Sequence, residues 1–338
     1  MGCNIAIMKR FLPLFILTRL IIIFFFISWE LNAQIALPTF QGAQFSAFGL
    51  YSFSSHTFTN CGATGKDGPT LANCTGTYSP SWTDNTNYFN VPSNAGIQYW
   101  TVPSSGTYTI EVWGAQGGNS YNGTNAGGRG ARMKGNFSLT KGEILKILVG
   151  QQGGQSNSAN YGGGGGGGTF VAQSNNTALI VAGGGGGSAV NNSGNGNTAA
   201  QTTTSGRAGG NSGGSGGSNG NGGSPGSGAP SGGAGFTGNG NGGWTGGGGV
   251  PKSFINGGTG QGLYSSTCCG GMGAFGGGST GHGGGGGGGG YSGGGGGGGC
   301  CGSSTSGGGG GGSYNNGSSE DNSAGVRDSH GQVTITRI

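Results

Sequence analysis

"GQVTITRI", residues 331–338, is the stretch on which the fold turns. Polar and apolar residues alternate along it. Val333 and Ile335 share one face, and Ile338 falls one step out of phase, as at a fraying end. Period-two alternation marks a strand with one buried side. Residues 151–328, which precede it, are dominated by Gly, Ser, Asn and Thr. A disordered tail has no reason to close on an amphipathic strand. The segment is therefore expected to return to a sheet begun near residue 50, which makes the glycine-rich region an insertion held at both ends.

Other strand signals lie upstream. "LYSFSSHTFTN" (50–60), "GIQYWTVP" (96–103), "GTYTIEVWGA" (106–115), "ARMKGNFSLT" (131–140) and "EILKILVGQ" (143–151) are rich in aromatic and β-branched residues and bounded by Gly, Pro, Asn or Ser. "GTFVAQ" (168–173) and "ALIVAG" (178–183) form a further pair across "SNNT". No segment after the N-terminal leader has a convincing helical period. The expectation is an all-β sandwich.

Glycine supplies 94 of 338 residues, against roughly 7% in an average protein. Uninterrupted runs occupy 162–168, 183–187, 246–249, 283–290, 293–299 and 307–312. Mixed Gly/Ser stretches such as 209–235 read as flexible linker. The long runs admit a second state, a polyproline-II-like backbone of three residues per turn and about 3.1 Å rise. Without Cβ atoms such chains approach closely and pair their outward N–H and C=O groups in a bundle. Collagen is excluded, with nine prolines and no Gly-X-Y period. Ordering a residue costs about 1–2 kcal/mol, a net hydrogen bond returns about 0.5–1.5 kcal/mol, and glycine buries almost no apolar area. The runs therefore need a wall and cross-links. Phe236, Trp244, Phe275, Tyr291 and Tyr314, set between the runs, are expected to dock them on the sandwich.

The N-terminus reads as a secretory signal over 1–33: Lys9 and Arg10, then "FLPLFILTRLIIIFFFIS", then "LNA" before Gln34. An uncleaved signal anchor is the rival reading, and only then is membrane attachment expected; Arg19 within the stretch weighs against a stable span. Cleavage removes three cations and Glu30, lowering the formal charge from +5 to +3, too weak and scattered for a nucleic-acid partner. Six cysteines remain: Cys61, Cys74, Cys268, Cys269, Cys300 and Cys301. An even number in a secreted chain favours disulfides, and adjacent cysteines lack zinc-site spacing. Cross-pairing between the doublets would close a loop of 30 residues, a link worth on the order of 3–4 kcal/mol.

Motifs of catalysis are weak. GxGxxG matches open no helix after a strand, and the "GK" at 65–66 is followed by Asp67 where a P-loop needs Ser or Thr. His56, His282 and His330 are far apart, and a triad from His330, Asp328 and some serine is only a formal possibility. Glu320 and Asp321 alone do not make a calcium site. No enzyme activity, cofactor or metal is expected. Asn73, Asn122, Asn136, Asn175, Asn191 and Asn316 begin N-glycosylation sequons.

"CGATGKDGPTLANC" (61–74), "GIQYWTVPSSGTYTIEVWGAQGG" (96–118), "FSLTKGEILKILVGQQG" (137–153), "YGGGGGGGTFV" (161–171), "ALIVAGGGGG" (178–187), "GFTGNGNGGWTGGGG" (235–249), "GGGGGGGGYSGG" (283–294) and "SHGQVTITRI" (329–338) follow in this order. Together they resemble the extracellular glycine-rich domain of the anaplastic lymphoma kinase and leukocyte tyrosine kinase receptors. The resemblance implies a jelly-roll sandwich like that of tumour necrosis factor, an inserted bundle of polyglycine helices, and a Cys61–Cys74 disulfide. In those receptors the region binds a small basic secreted protein through acidic surface, and dimerisation activates a kinase. This chain contains neither HRD nor DFG, and only seven acidic residues follow position 33. Glu320 and Asp321, near the corresponding late loop, and Tyr291 and Tyr314 are the expected partner surface. The domain plan is a leader (1–33), an extension with a first strand (34–57) and a glycine-rich domain (58–338). Within the last, 58–183 and 329–338 make the sandwich and 184–328 the insertion. The functional expectation is an extracellular recognition or adhesion module for a protein or glycan, with homo-oligomerisation open. The rivals are a structural matrix protein and a truncated receptor ectodomain.

Overall fold

The computed structural model describes residues 49–92, 96–190, 198–228, 230–243, 248–263, 270–299 and 305–338. The leader over 1–33, Asn191, Trp244 and the doublets Cys268/Cys269 and Cys300/Cys301 lie outside the described residues. No helix among the described residues is long and apolar enough to cross a membrane.

Among the described residues there are eleven strands, and the glycine-rich insertion separates the eighth from the ninth: β1 (Ser55–Phe58), β2 (Phe89–Asn90), β3 (Gln98–Thr101), β4 (Gly106–Trp113), β5 (Gly130–Leu139), β6 (Ile144–Leu148), β7 (Thr169–Gln173), β8 (Ala178–Ala182), β9 (Tyr314–Asn315), β10 (Ser323–Arg327) and β11 (Gln332–Arg337). They form two antiparallel sheets, β1-β11-β4-β5-β10 and β2-β3-β6-β7-β8-β9. The last strand returns as its alternation requires. β11 lies between β1 and β4, Val333 opposite Phe58 and Val112, Ile335 opposite Ile110. Tyr108, Ile110 and Val112 of β4, Met133 and Phe137 of β5, and Leu145, Ile147, Val171 and Ile180 of the second sheet fill the space between.

One helix was not foreseen. α1 (Leu71–Thr77) starts at Thr70, whose hydroxyl accepts from the Asn73 N–H while the Asn73 side chain accepts from the Thr70 N–H. This reciprocal cap nucleates a helix too short to show a hydrophobic period. Cys74 on its inner side is bonded to Cys61, with Cα atoms 4.9 Å apart, so the disulfide implied by the family resemblance is present. Buried Gln98 ties the same loop to the sheet: its Oε1 accepts from the Tyr78 hydroxyl (2.7 Å) and its Nε2 donates to the Thr59 carbonyl (2.8 Å).

The glycine segments grow from one end of the sandwich. Residues 149–154 leave β6, 162–168 enter β7, 183–188 leave β8 and 307–313 enter β9, all at the same end of neighbouring strands. The neighbours stay neighbours, but the bonding repeat changes. Gly164 and Gly167 donate to the carbonyls of Gly154 and Gln151; Gly163 and Gly166 to those of Ser188 and Gly185; Gly165 and Gly168 to those of Ser279 and Gly276. Every third residue thus faces the same partner, with no bond inside the run. Segment 285–291 donates to 306–312, 163–166 and 231–234, and accepts from 184–187, 279 and 294–297. Described glycines within 162–168, 183–187, 283–290 and 307–312 are all buried.

The stretch 209–235 departs from the linker reading. Gly214 and Gly217 donate to the carbonyls of Gly296 and Gly293, and Gly223 to that of Gly233. Gly214, Gly217, Gly220 and Gly223 are buried while Ser215 and Ser218 are exposed. The buried positions are three apart, so the repeated Gly-Gly-Ser triplets are a structural period that composition alone hides. Strands β9 and β10 also fall inside 184–328 yet belong to the sheets. They escape sequence reading because β9 is two residues long and β10 pairs irregularly with β5, with Gly325 at φ +58°.

Aromatic residues fasten the segments to the outer face of the second sheet. Phe170 and Val181, pointing away from the main core, pack with Phe236, Phe254 and Phe275. The ring centroids of Phe236 and Phe254 are 4.8 Å apart and those of Tyr291 and Tyr314 are 4.7 Å apart.

A Cβ at Gly288 would lie 2.2 Å from the Gly184 carbonyl oxygen, whereas one at Gly76, in α1, would meet nothing within 4 Å. Gly288→Ala is expected to destabilise the protein by about 2–3 kcal/mol, and Gly76→Ala to be neutral or to stabilise by about 0.5–1 kcal/mol. Thermal unfolding of both variants checks the pair.

Candidate recognition surface

The inward residues of β4, β5 and β11 determine what the outer face of the first sheet must carry, because side chains alternate along a strand. With Tyr108, Ile110 and Val112 inside, Thr109, Glu111 and Trp113 point outward, joined by Arg132, Lys134 and Asn136 from β5 and Gln332, Thr334 and Thr336 from β11. Hydroxyls knit this face: Thr57 with Thr334 (3.1 Å) and Ser55 with Thr336 (2.8 Å), while the Thr109 hydroxyl donates to Asn136 Oδ1 (2.8 Å).

Trp113 is the exception on a polar face. Register sets it opposite Arg132 on β5 and Gln332 on β11. The Arg132 guanidinium lies 5.4 Å from the indole centroid and the Arg327 guanidinium 5.7 Å, so the ring has a cation–π partner in each. Arg132 is 16% exposed and also pairs with Glu111 and, at 3.0 Å, with Asp321. The guanidinium holds the Asp321 carboxyl below the usual carboxylate range by direct hydrogen bonding and charge. The Asp321 N–H donates to the Lys134 carbonyl, and Glu320 accepts from Asn322 Nδ2 at 2.7 Å, so the late loop is held against β5.

The expected partner residues therefore divide. Asp321 belongs to this charged array, and Glu320 lies next to it in the late loop, bonded to Asn322. Tyr291 and Tyr314, half-buried and stacked, cover the Phe236–Phe254 seam on the second sheet. Sequence reading missed Trp113, Arg132 and Glu111. The available signal was Trp113 itself, a large apolar residue out of phase with Tyr108, Ile110 and Val112.

The histidines occupy three separate settings. His330 Nδ1 accepts from the Gln152 N–H (3.0 Å), while Asp328 faces Arg129 at 3.7 Å, so the formal triad does not assemble. His282 packs on Tyr161. His56 meets Phe58, Tyr78 and Trp82 edge-on with centroids 4.7–5.0 Å away. Among the described residues no group of three His, Cys, Asp or Glu side chains is placed to hold a metal. The Trp113 face offers ion pairing, hydrogen bonding and stacking.

No family model matches the chain. One stretch of 96 residues is 40% identical to the leukocyte tyrosine kinase receptor of Mus musculus, covering 28% of this chain and 11% of that receptor. The chain is thus similar, over that stretch, to a small part of this receptor.

Burial pushes the His56 imidazole down from 6.5 to about 4. Between those values the unfolded chain binds a proton that the folded chain excludes, so stability falls as pH drops from about 6.5 toward 4. The loss from this one proton approaches about 1.4 kcal/mol per pH unit. His330, also pushed down by burial, adds in the same sense. His56→Phe, measured by denaturant unfolding at pH 7 and pH 4.5, is expected to flatten this dependence.

Proposed function

We propose that the chain is a secreted or cell-surface recognition module that binds a protein or glycan and catalyses no reaction. Its sandwich is a jelly roll of the tumour-necrosis-factor type, and its glycine segments are polyglycine-II helices bundled against one end. The three-residue bonding period supports the helical assignment, since it matches a polyproline-II-type backbone rising about 3.1 Å per residue. Neighbours on several sides around 285–291 fit hexagonal packing of such helices.

The observation that carries the recognition reading is the fixed Arg132–Trp113–Arg327 array on an otherwise polar sheet face. Tryptophan and arginine are the residue types that most often dominate contact energy, and here both are held in place before any partner arrives. The 40% identical stretch favours a receptor-like ectodomain as the setting. A matrix role draws only on composition.

The full chain is tested in two steps. Hydrogen exchange is expected to be slowed at least about a thousandfold over 163–168 and 285–298, the factor that about 4 kcal/mol of local stability produces; random-coil exchange there removes the helical bundle. Immobilised protein is then offered secreted-protein and glycan fractions of its own host. Saturable binding that weakens about tenfold or more (about 1.4 kcal/mol) with Trp113→Ala supports recognition. Concentration-dependent self-association without a saturable partner supports a matrix role instead.

A further inference from the structure

We propose that Asn175 is an N-glycan acceptor, a reading that rests on passage of the chain through a secretory lumen. Of the six sequons, that of Asn191 lies outside the described residues, and folding treats the other five differently. Asn136 sits inside β5, half-buried. Its Oδ1 accepts the Thr109 hydroxyl, and its backbone N–H and C=O both pair with Ser318. Asn73 is the reciprocal partner of the α1 cap, with disulfide-bonded Cys74 as the middle residue of its sequon. The Thr124 hydroxyl of the Asn122 sequon is engaged with Ser120 and Tyr121. Asn316 is held by its N–H on the Leu179 carbonyl, and Ser318 by its pairing with Asn136.

Asn175 lies at a hairpin tip with its whole sequon in solvent; the Asn122 sequon is exposed as well, but its Thr124 hydroxyl is engaged. Asn175, Asn176 and Thr177 are all exposed between β7 and β8. The turn is closed by the Gln173 N–H on the Thr177 carbonyl and the Asn176 N–H on the Gln173 carbonyl, both 2.9 Å, with Asn176 at φ +66°. The Asn175 side chain engages the turn through Oδ1, which accepts the Thr177 N–H at 3.0 Å. That contact is an Asx turn, and it uses the oxygen rather than the nitrogen that a glycan would occupy. The tip lies at the end of the sandwich opposite the glycine segments, beside an open polar groove of about 590 Å³ lined by Ser138, Thr140, Lys141, Glu143 and Gln173. A sugar there displaces no core contact.

The donor is a lipid-linked oligosaccharide pyrophosphate. The Asn175 Nδ2–C1 bond forms and the C1–O bond to pyrophosphate breaks. One amide proton is released, and the lipid pyrophosphate leaves. No electrons change hands. The attached glycan would shield this end of the sandwich and leave the Trp113 face and the glycine end to partners.

The test is secretion of the full chain from cultured animal cells, read by glycopeptide mass spectrometry and by gel mobility before and after enzymatic glycan release. The expected result is a glycan on the Asn175 peptide and none on the Asn136 peptide. Asn175→Gln and Thr177→Ala should each abolish one mobility step, while Asn136→Gln leaves it unchanged. A secreted chain unmodified at Asn175 overturns the proposal and leaves the recognition reading standing. A chain found only in the cytosol overturns both.

Discussion

Backbone N–H groups of one glycine segment reach carbonyl groups of the next across gaps that a single methyl would close. A Cβ at Gly167 would stand 1.8 Å from the Phe275 carbonyl oxygen, and one at Gly294 would stand 1.9 Å from that of Gly309. Backbones can approach this closely only where the α carbon carries no side chain. The uniform glycine of these runs is thus a packing requirement. The price is conformational entropy, largest for glycine, and the modest net return on a hydrogen bond does not cover it alone.

The sandwich supplies what the runs lack. Antiparallel pairing of β6, β7, β8 and β9 delivers four chain segments side by side at one end, already in register. Each glycine run continues beside the neighbour its strand had, so much of the loop-closure entropy has been met by the sheet before the first glycine bond forms. The outer segments add a second anchor. Phe236, Phe254 and Phe275 bury apolar surface against Phe170 and Val181, which lends 231–236 and 273–278 the hydrophobic contribution that glycine cannot make.

Rigidity also shapes the surface. Trp113 stands on a central strand and is bracketed by arginines from β5 and β10, and Arg132 is in turn fixed by Glu111 and Asp321. Glu111, Trp113 and Arg132 meet across the β4–β5 pair, and the return of the chain after the glycine region adds Asp321 and Arg327. Histidine and aspartate near 328–330 are separated by the same geometry, because Asp328 faces Arg129 while the His330 ring accepts from the backbone of Gln152.

Two-residue alternation in 106–113, 131–139 and 332–337 was enough to specify strands with one buried face, because side-chain direction in a strand is local to the backbone. The same alternation determined which residues of these strands face water. The aromatic residues between glycine runs announced a docked insertion for a similar reason, since large rings seek burial wherever they lie. Residues without a period of their own left no such mark: β9, irregular β10, and the cap of α1, which depends on one reciprocal pair of bonds. The triplet order of 213–224 was visible, but its meaning was not. A Gly-Gly-Ser repeat is compatible with coil until the carbonyls of Gly293 and Gly296 stand three residues apart to receive it. Partner choice for a backbone hydrogen bond carries no side-chain signature, so only the tertiary structure could decide it.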